Sequence, residues 1–170
     1  MRITLARAAP VAVAFDCTLV TFGFPFEQAR ARGAKRSQPL RSEADIAAFV
    51  AEGTGEGEGG DRLADLVEGR RFRSLGFDAF SGLGKLVATT PHPDPAKSCT
   101  PLDAARSLAE GDDVLLLFGL GPRGLPQEVL GAAPRHLELT GKRVSLETAT
   151  ALGAIPAAIA AHRSHLGGRA

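Results

Sequence analysis

Short apolar or β-branched runs bounded by turn residues recur along the chain and predict strands. These runs lie at residues 18–24, 84–90, 114–118 and 136–140. Between them, apolar residues at helical spacing predict helices. The predicted helices cover residues 2–13 with an interruption at Pro10, 42–53, 63–67, 100–111, 127–130 and 145–162. This alternation indicates an α/β fold with a parallel sheet flanked by helices.

The run VLLLF at residues 114–118 has no polar alternation, which is typical of a parallel strand covered by helices on both faces. The sequence GLGPRGLP follows it at residues 119–126. Glycines in this loop permit positive φ and let a ligand approach the backbone. Pro126 suits the first turn of a short helix, where its missing N–H is harmless. The pattern predicts a ligand-binding loop at the carboxyl end of a central strand.

Two more loops are expected to open at the same edge of the sheet. Residues 136–140 turn at Gly141 and lead into a final helix, for which Ser145 is the predicted cap. Residues 84–90 end in the hydroxyls of Thr89 and Thr90, and the prolines that follow forbid a helix. These threonines either line the ligand site or cap a turn.

Length and composition predict one domain over residues 1–170, with a flexible Gly-rich loop around 53–60. The chain is 44% hydrophobic but has no apolar run of about 20 residues, so we expect no membrane span and a cytoplasmic location. Two distant cysteines indicate neither a disulfide framework nor a zinc site, and Cys17 is expected to be a buried small hydrophobe. His136, His162 and His165 have no paired carboxylate at ligand spacing, so no metal site is predicted.

A net charge of +1 gives no overall attraction for nucleic acid, so any RNA contact must be local. Residues 26–41 collect much of the positive charge, with only Glu27 opposing it. The candidate phosphate contacts are Arg30, Arg32, Lys35 and Arg36. No aromatic residues are interleaved to stack bases, so contacts with the RNA backbone are expected. A solvated helix face is the alternative interpretation.

Three segments, FGLGPRGLP, HLELTG and SLETATALGAI, resemble the second and third motifs of the SPOUT superfamily, in particular its SpoU-type RNA methyltransferases. Gly121 stands where these motifs usually have Glu, and Glu147 where they usually have Asn. The segment LARAAPVAVAF resembles the first motif, and Arg7 matches its Arg. Within the superfamily, the chain resembles most an uncharacterised archaeal group.

The resemblance implies a carboxyl-terminal deep trefoil knot, in which the last helix is threaded through the loop near residues 119–126. It also implies S-adenosyl-L-methionine as the cofactor. The implied cofactor-binding residues are Thr89, Thr90, Phe118, Gly119, Gly121, Gly124, Leu137, Leu139, Gly141, Ser145 and Leu146. On this hypothesis, replacing Gly119 by Val removes cofactor binding and leaves the fold largely intact.

Arg7 and Glu147 are the catalytic residues that the resemblance implies. The implied substrate is RNA, with the ribose 2′-hydroxyl of a tRNA or rRNA as the candidate acceptor. A homodimer is also implied, because the knotted region forms the dimer interface in that superfamily. The apolar and small residues of the last helix, spread around its circumference, agree with such an interface.

Two other interpretations remain open. The first is a SPOUT-fold protein that binds RNA or cofactor without catalysis, which the substitutions at Gly121 and Glu147 would suit. The second is an unrelated nucleotide-binding α/β protein, because GLGPRG fits the spacing of a dinucleotide-binding loop. Pro122 and Pro126 argue against the second, since they break the helix that such a loop requires.

Overall fold

The computed structural model describes residues 2–24, 40–54, 58–80, 82–121 and 123–167. The chain forms two compact units, Met1–Ala79 and Phe80–Ala170. Each contains parallel strands flanked by helices, so the predicted α/β class is confirmed. The single domain over residues 1–170 stays a prediction. None of the described helices is long and apolar enough to cross a membrane.

The first unit packs three helices beside a two-stranded parallel sheet. Its elements are α1 (Arg2–Ala14), β1 (Leu19–Phe22), α2 (Glu43–Thr54), α3 (Glu58–Glu68) and β2 (Phe72–Leu75), with a 3-10 turn at Phe77–Phe80. The largest fully buried side chains here come from α2 and α3: Ile46, Val50, Leu63 and Leu66. The hydrophobic pattern misses β2, because FRSL carries Arg73 and Ser74 within only four residues.

Glycines in the stretch expected as a flexible loop allow close packing of helices. α2 runs to Thr54 and α3 begins at Glu58, so the segment between them shortens to residues 55–57, which lie outside the described residues. A β-carbon on Gly60 would lie 2.7 Å from the Cα of Ala51 in α2. The helices therefore extend further into residues 53–60 than predicted, because tertiary packing overrides the low helix propensity of glycine.

Pro10 does not interrupt α1, contrary to expectation, since the helix continues to Ala14. A proline has no N–H to donate to the carbonyl four residues earlier, which here belongs to Ala6. That carbonyl oxygen lies where a β-carbon on Gly59 would collide with it. Glycine at this position therefore gives the undonated carbonyl the space it needs against α3.

Arg71 holds the chain where it leaves α1. Its guanidinium donates to the carbonyl oxygens of Ala12 at 3.0 Å and Cys17 at 2.9 Å, and it pairs with Asp16 at 3.1 Å. These contacts join the residue just before β2 to a carbonyl in the last turn of α1 and to one in the turn that follows it. Cys17 is exposed in this turn, so the expectation that it is buried is wrong; a turn after a helix places its residues at the surface.

The second unit is built on a four-stranded parallel sheet. Its strands are β3 (Lys85–Thr89), β4 (Ser98–Cys99), β5 (Val114–Leu117) and β6 (Arg135–Leu137), in the order β4-β6-β3-β5. Its helices are α4 (Pro101–Ala109), α5 (Gln127–Ala132) and α6 (Thr148–Gly167). Thr100 caps α4 as the sequence predicts, and its side chain and that of Asp103 form a reciprocal capping box.

The core of this unit lies between the sheet and the packed pair α4 and α6. Buried residues of α4 and α6 meet strand residues there: Ala104, Ala105, Ile155, Ile159, Val87 and Leu137. The sequence pattern misses β4, because two residues are too few to show any periodicity. The sheet thus fixes the ends of β3, β5 and β6 side by side.

Candidate functional site

The carboxyl ends of β3, β5 and β6 meet at one edge of the sheet, because these strands are parallel neighbours. Ala88 of β3 lies opposite Leu117 of β5 and His136 of β6. We name the segments that leave this edge the threonine loop (residues 90–97), the glycine loop (118–126) and the glutamate loop (138–147). Every predicted cofactor-binding residue lies on one of these loops or at the end of β3 or β6.

Both threonines at the start of the threonine loop bond within the protein. The Thr89 hydroxyl donates to the carbonyl oxygen of Leu117 at 2.7 Å. The Thr90 amide donates to the carbonyl oxygen of Leu137 at 3.1 Å, and the Thr90 hydroxyl accepts from the amide of His92 at 3.2 Å. The Thr90 hydroxyl therefore caps a turn, whereas the Thr89 hydroxyl joins β3 to β5.

The glycine loop closes on itself. The amide of Gly124, at φ +68°, donates to the carbonyl oxygen of Gly121 at 2.9 Å. A β-carbon on Gly119 would collide with the backbone of Gly124, whereas one on Gly121 would meet no atom within 4 Å. The carbonyl oxygen of Gly119 also accepts from the hydroxyl of Thr148 at 3.0 Å, at the start of α6. Gly119 is therefore needed for closure of the loop itself.

The glutamate loop is held by the side chain of Glu138. Its carboxylate accepts from the amide of Thr140 at 2.9 Å, from the Thr140 hydroxyl and from the amide of Gly141. The Thr140 hydroxyl in turn accepts from the amide of Lys142 at 3.1 Å. The sequence interpretation misses Glu138, although an acidic residue just before a Thr-Gly turn is a signal for such a side-chain cap.

The hydrogen bonds of this loop lower the pKa of Glu138 below its ordinary value. Desolvation by burial acts in the opposite direction and raises the pKa. The hydrogen bonds from the hydroxyl and amide of Thr140 and from the amides of Gly141 and Arg143 outweigh it. Glu138 is therefore a stable carboxylate in the folded protein.

Glu147 caps α6. Its carboxylate accepts from the amides of Ala149 at 2.9 Å and Thr150 at 3.3 Å. Ser145, the predicted cap, is exposed and lies three residues before the helix begins at Thr148, so that prediction is wrong. The Glu147 side chain reaches forward to the amides of the first turn, and a carboxylate is also favoured electrostatically at a helix N-terminus.

The apolar residues predicted for the site divide into core and surface. Leu137 is only 1% exposed and belongs to the core. Phe118 and Leu139 are half-buried and pack against that core, and Leu146 is also half-buried. The last three can offer part of their apolar surface to a ligand, while Leu137 can offer only its backbone.

A buried histidine connects the threonine loop with the helix that follows the glycine loop. His136 of β6 is 5% exposed; its Nδ1 accepts from the amide of Asp94, at 3.1 Å, in the threonine loop. Its Nε2 lies 2.9 Å from the carbonyl oxygen of Leu130 in α5. The acceptor role of Nδ1 requires a neutral imidazole with its proton on Nε2. Lys97 adds a second link, donating to the carbonyl oxygen of Gly131 at 2.7 Å.

The remaining predicted residues lie elsewhere. Arg7 is exposed on α1 in the first unit. The candidate RNA contacts, Arg30, Arg32, Lys35 and Arg36, lie outside the described residues. Within the described part of the chain, no group of three or more His, Cys, Asp or Glu could hold a metal ion.

A groove of about 560 Å³ lies at the other edge of the sheet, beside α4. Lys85, Val114 and Arg135, the first residues of β3, β5 and β6, contribute to its walls. None of the predicted site residues lines it. The three loops and this groove are thus separate features of the second unit.

Comparison with known sequences gives two matches. Residues 1–160 match the model of a family described as Protein of unknown function (DUF531). A protein of Methanocaldococcus jannaschii described as Uncharacterized protein MJ0224 is 36% identical over 163 residues, which are 95% of this chain and 84% of that protein.

Solved structures share the fold. A probable methylase family protein from Haemophilus influenzae matches with a TM-score of 0.63 at 16% identity, over 98% of this chain and 63% of its own. TrmJ from Z. mobilis matches with a TM-score of 0.61 at 17% identity, over 96% of this chain and 66% of its own. An AdoMet-bound rRNA methyltransferase from Sinorhizobium meliloti matches with a TM-score of 0.53 at 17% identity, over 98% of this chain and 53% of its own. The chain therefore spans less than two thirds of each of these three solved chains. The resemblance to SpoU-type methylases is confirmed for the fold.

Proposed function

Since this chain belongs to the family described as Protein of unknown function (DUF531), we infer its activity from its fold and propose that it is an S-adenosylmethionine-dependent RNA methyltransferase. The observation that carries the proposal is the fold it shares, over nearly its whole length, with an rRNA methyltransferase that binds AdoMet. The proposed acceptor is the ribose 2′-hydroxyl of a tRNA or rRNA.

The loop edge has features that suit the cofactor. Gly121 and Gly141 leave open space where a β-carbon would stand, so a ligand can approach their backbone. Leu139 and Leu146 are half-buried and can contact an apolar ring, and residues 142–145 are exposed. Pockets for small ligands combine such apolar surface with a few backbone partners. Gly119, Gly124 and Leu137 would contribute by shaping the surface from beneath.

Bound S-adenosylmethionine would supply a methyl group already activated on a sulfonium, which leaves positioning as the main task of the protein. Phe118, Leu139 and Leu146 would contact the adenine, while the backbone from Gly141 to Ser145 would hold the ribose. Thr89 and Thr90 would fix the neighbouring strand ends, as the hydrogen bonds of the Thr89 hydroxyl to β5 and of the Thr90 amide to β6 already do.

Arg7 and Glu147 are the proposed catalytic residues. In the proposed dimer, the Arg7 guanidinium would act across the interface on the other subunit's site, against the acceptor hydroxyl or an adjacent phosphate, and favour loss of the hydroxyl proton. Glu147 would act at the first turn of α6, where its carboxylate already caps the helix. We expect Arg7→Lys and Glu147→Gln to lower kcat about a hundredfold, consistent with general acid–base roles, without weakening cofactor binding. If Glu147→Gln lowers the stability of α6 but leaves kcat unchanged, Glu147 serves only as a helix cap.

RNA is proposed to bind through its phosphates at Arg30, Arg32, Lys35 and Arg36. Removing a side chain that neutralises a phosphate should weaken binding at every sequence and reduce its dependence on salt. Paired replacement of these residues by Gln, followed by binding isotherms at several salt concentrations, tests this role. An unchanged salt dependence would contradict it.

The trefoil knot also belongs to the proposal. The hydrogen bond between the Thr148 hydroxyl and the carbonyl oxygen of Gly119 supports it, because it joins the start of α6 to the glycine loop. An experimental electron-density map tests the threading directly. A trace in which residues 136–162 pass outside the loop would remove the knot from the proposal.

We further propose a homodimer through α6. Only Ile155 and Ile159 are buried among the twenty residues of this helix, although seven of the twenty are Ala. A partly exposed apolar helix with small residues favours a symmetric contact with a second copy. Light scattering after size exclusion at tens of micromolar should give the mass of a dimer, and a monomer under these conditions would rule this arrangement out.

Binding without catalysis is the second candidate function. The capping role of the Glu147 carboxylate favours it, since a side chain that serves the helix explains this residue without chemistry. The unrelated nucleotide-binding alternative has less support, because the helix after the glycine loop has only six residues.

Two measurements separate these functions. Calorimetric titration with S-adenosylmethionine should show binding to the whole chain. If no binding is measured, the methyltransferase proposal is wrong. Incorporation of labelled methyl groups into bulk RNA should then distinguish turnover from binding alone. Binding of the cofactor without incorporation would favour the non-catalytic candidate.

A further inference from the structure

The amides of three successive residues in the glutamate loop, residues 140–142, donate to one carboxylate and one hydroxyl. Glu138 accepts directly from the amides of Thr140 and Gly141. Thr140, itself bonded to Glu138 through its hydroxyl, accepts from the amide of Lys142. Charged acceptors make such hydrogen bonds roughly twice as strong as neutral ones. The shape of residues 140–143 therefore depends on Glu138.

This turn contains two residues in the left-handed region of backbone conformation. Gly141 has φ +66° and Arg143 has φ +57°. Glycine adopts this conformation freely, whereas a residue with a side chain adopts it only at a cost in free energy. The hydrogen bonds from the amides of Thr140 and Gly141 to Glu138 hold the turn in which Arg143 adopts this conformation. Without the carboxylate, we expect the turn to relax to another conformation.

The strained turn is exposed, so the core gains little from it. Gly141, Lys142 and Arg143 are exposed, and the chain continues through exposed Val144 and Ser145 toward α6. Val144 is 52% exposed, although it is a large apolar residue. Strained backbone that adds nothing to packing is typical of ligand-binding segments. The turn also sets where residues 144–147 leave the sheet edge.

We propose that Glu138 is a positioning residue for the S-adenosylmethionine site: its carboxylate holds residues 140–143, and through them residues 144–147, in the conformation that binds the cofactor. The inference rests on the proposed methyltransferase function, because it assigns the ligand of these loops. Glu138 acts through the backbone of the turn and makes no contact with the cofactor. Its replacement should therefore change cofactor affinity more than the stability of the whole chain.

The test compares Glu138→Ala, Glu138→Gln and the matched control Glu110→Ala, an exposed acidic residue at the end of α4. Calorimetric titration with S-adenosylmethionine should give a Kd raised about tenfold for Glu138→Ala, as expected for the removal of charge-assisted hydrogen bonds. Glu138→Gln keeps an acceptor oxygen and should recover part of that affinity. Glu110→Ala should bind like the unmodified chain.

Amide hydrogen exchange provides a readout that needs no cofactor. Amides of residues 140–143 should exchange faster in Glu138→Ala and regain protection in Glu138→Gln, with the α4 amides unchanged. Unaltered cofactor affinity in Glu138→Ala, beside normal binding by the unmodified chain, would overturn the positioning role alone. Absence of binding by the unmodified chain would overturn the proposed function. Should Glu138→Ala fail to fold, a Glu138→Gln variant with unchanged affinity and exchange would overturn the positioning role.

Discussion

The glycine loop and the glutamate loop leave the same edge of the sheet, yet different forces hold them. In the glycine loop, the backbone at Gly119 and Gly124 approaches so closely that no side chain fits. In the glutamate loop, the space beside Gly141 is open and a carboxylate holds the turn. The first loop should therefore respond to added atoms, and the second to removal of an acceptor or of a charge.

The largest effect is expected from Gly119→Val. Its β-carbon would collide with the backbone of Gly124, which cannot rotate away as a side chain could. We expect a loss of about 3 kcal/mol in the free energy of unfolding, as for severe overpacking, measured by chemical denaturation. The sequence suggests a substitution that would spare the fold, but this collision contradicts that expectation.

Gly121→Ala is the matched control for this substitution. No atom lies within 4 Å of the position that its β-carbon would take, so we expect a change within about 0.5 kcal/mol. Equal stability of the two variants would show that close packing does not hold the glycine loop.

A smaller effect is expected from His136→Ala, which removes one of the two links described between the threonine loop and α5. The amide of Asp94 and the carbonyl oxygen of Leu130 would lose their partners. We expect a loss of about 2 kcal/mol, because unsatisfied groups in a buried setting are costly. Amide exchange should quicken in α5 and in residues 90–97 together; an effect on only one segment would contradict the linking role.

Thr140→Val should affect only the glutamate loop. It removes the hydroxyl that donates to Glu138 and accepts from the amide of Lys142, while keeping the shape of the side chain. We expect a loss of about 1 kcal/mol in unfolding free energy, with Thr140→Ser close to the unmodified chain. Equal losses in the two variants would show that the methyl group, rather than the hydroxyl, matters.

Acidification should produce the smallest effect on stability. It should affect the glutamate loop, which a carboxylate holds, and leave the glycine loop unchanged. The pKa of Glu138 is lowered in the folded protein, so its contribution is present above the ordinary pKa of Glu and is lost as pH falls through the lower, folded value. Exchange of the amides of residues 140–143 should quicken in that range, while those of residues 119–124 stay unchanged.

Glu138→Gln should remove this pH response from the glutamate loop. A further acid-dependent loss of stability should remain in that variant, because the pKa of Asp103 in the α4 capping box is also lowered, mainly by its hydrogen bond from the backbone of Thr100. A glutamate loop that still responds to acid in Glu138→Gln would show that another group carries the charge effect.

The sequence predicts the loops better than the forces that hold them. Apolar runs locate β3 and β5, and the turn residues after them locate the glycine loop, because both signals are local. The role of Glu138 depends on a turn in which Arg143 has positive φ, and an arginine in the sequence does not predict that conformation. The same holds for Gly59, whose purpose is visible only where Ala6 lies against it.

The misassigned cap of α6 has a similar cause. Ser145 is the better cap by residue preference, but the helix begins three residues later and Glu147 serves it. Preferences rank residue types without fixing where the chain leaves its preceding turn. Here the chain passes through positive φ at Gly141 and Arg143 before the helix begins at Thr148, and the sequence gives little sign of that geometry.

The strand order of the second unit also affects the timing of folding. β6 comes last among the described strands of the unit, yet it lies between β4 and β3. Ser98 pairs with His136, so β4 emerges from the ribosome about 40 residues before its partner, roughly a few seconds at ordinary synthesis rates. β3 and β5 can pair earlier, and β6 then has to insert beside a β3 edge already in place. During that interval the exposed edge of β3 is the surface most open to pairing with another nascent chain.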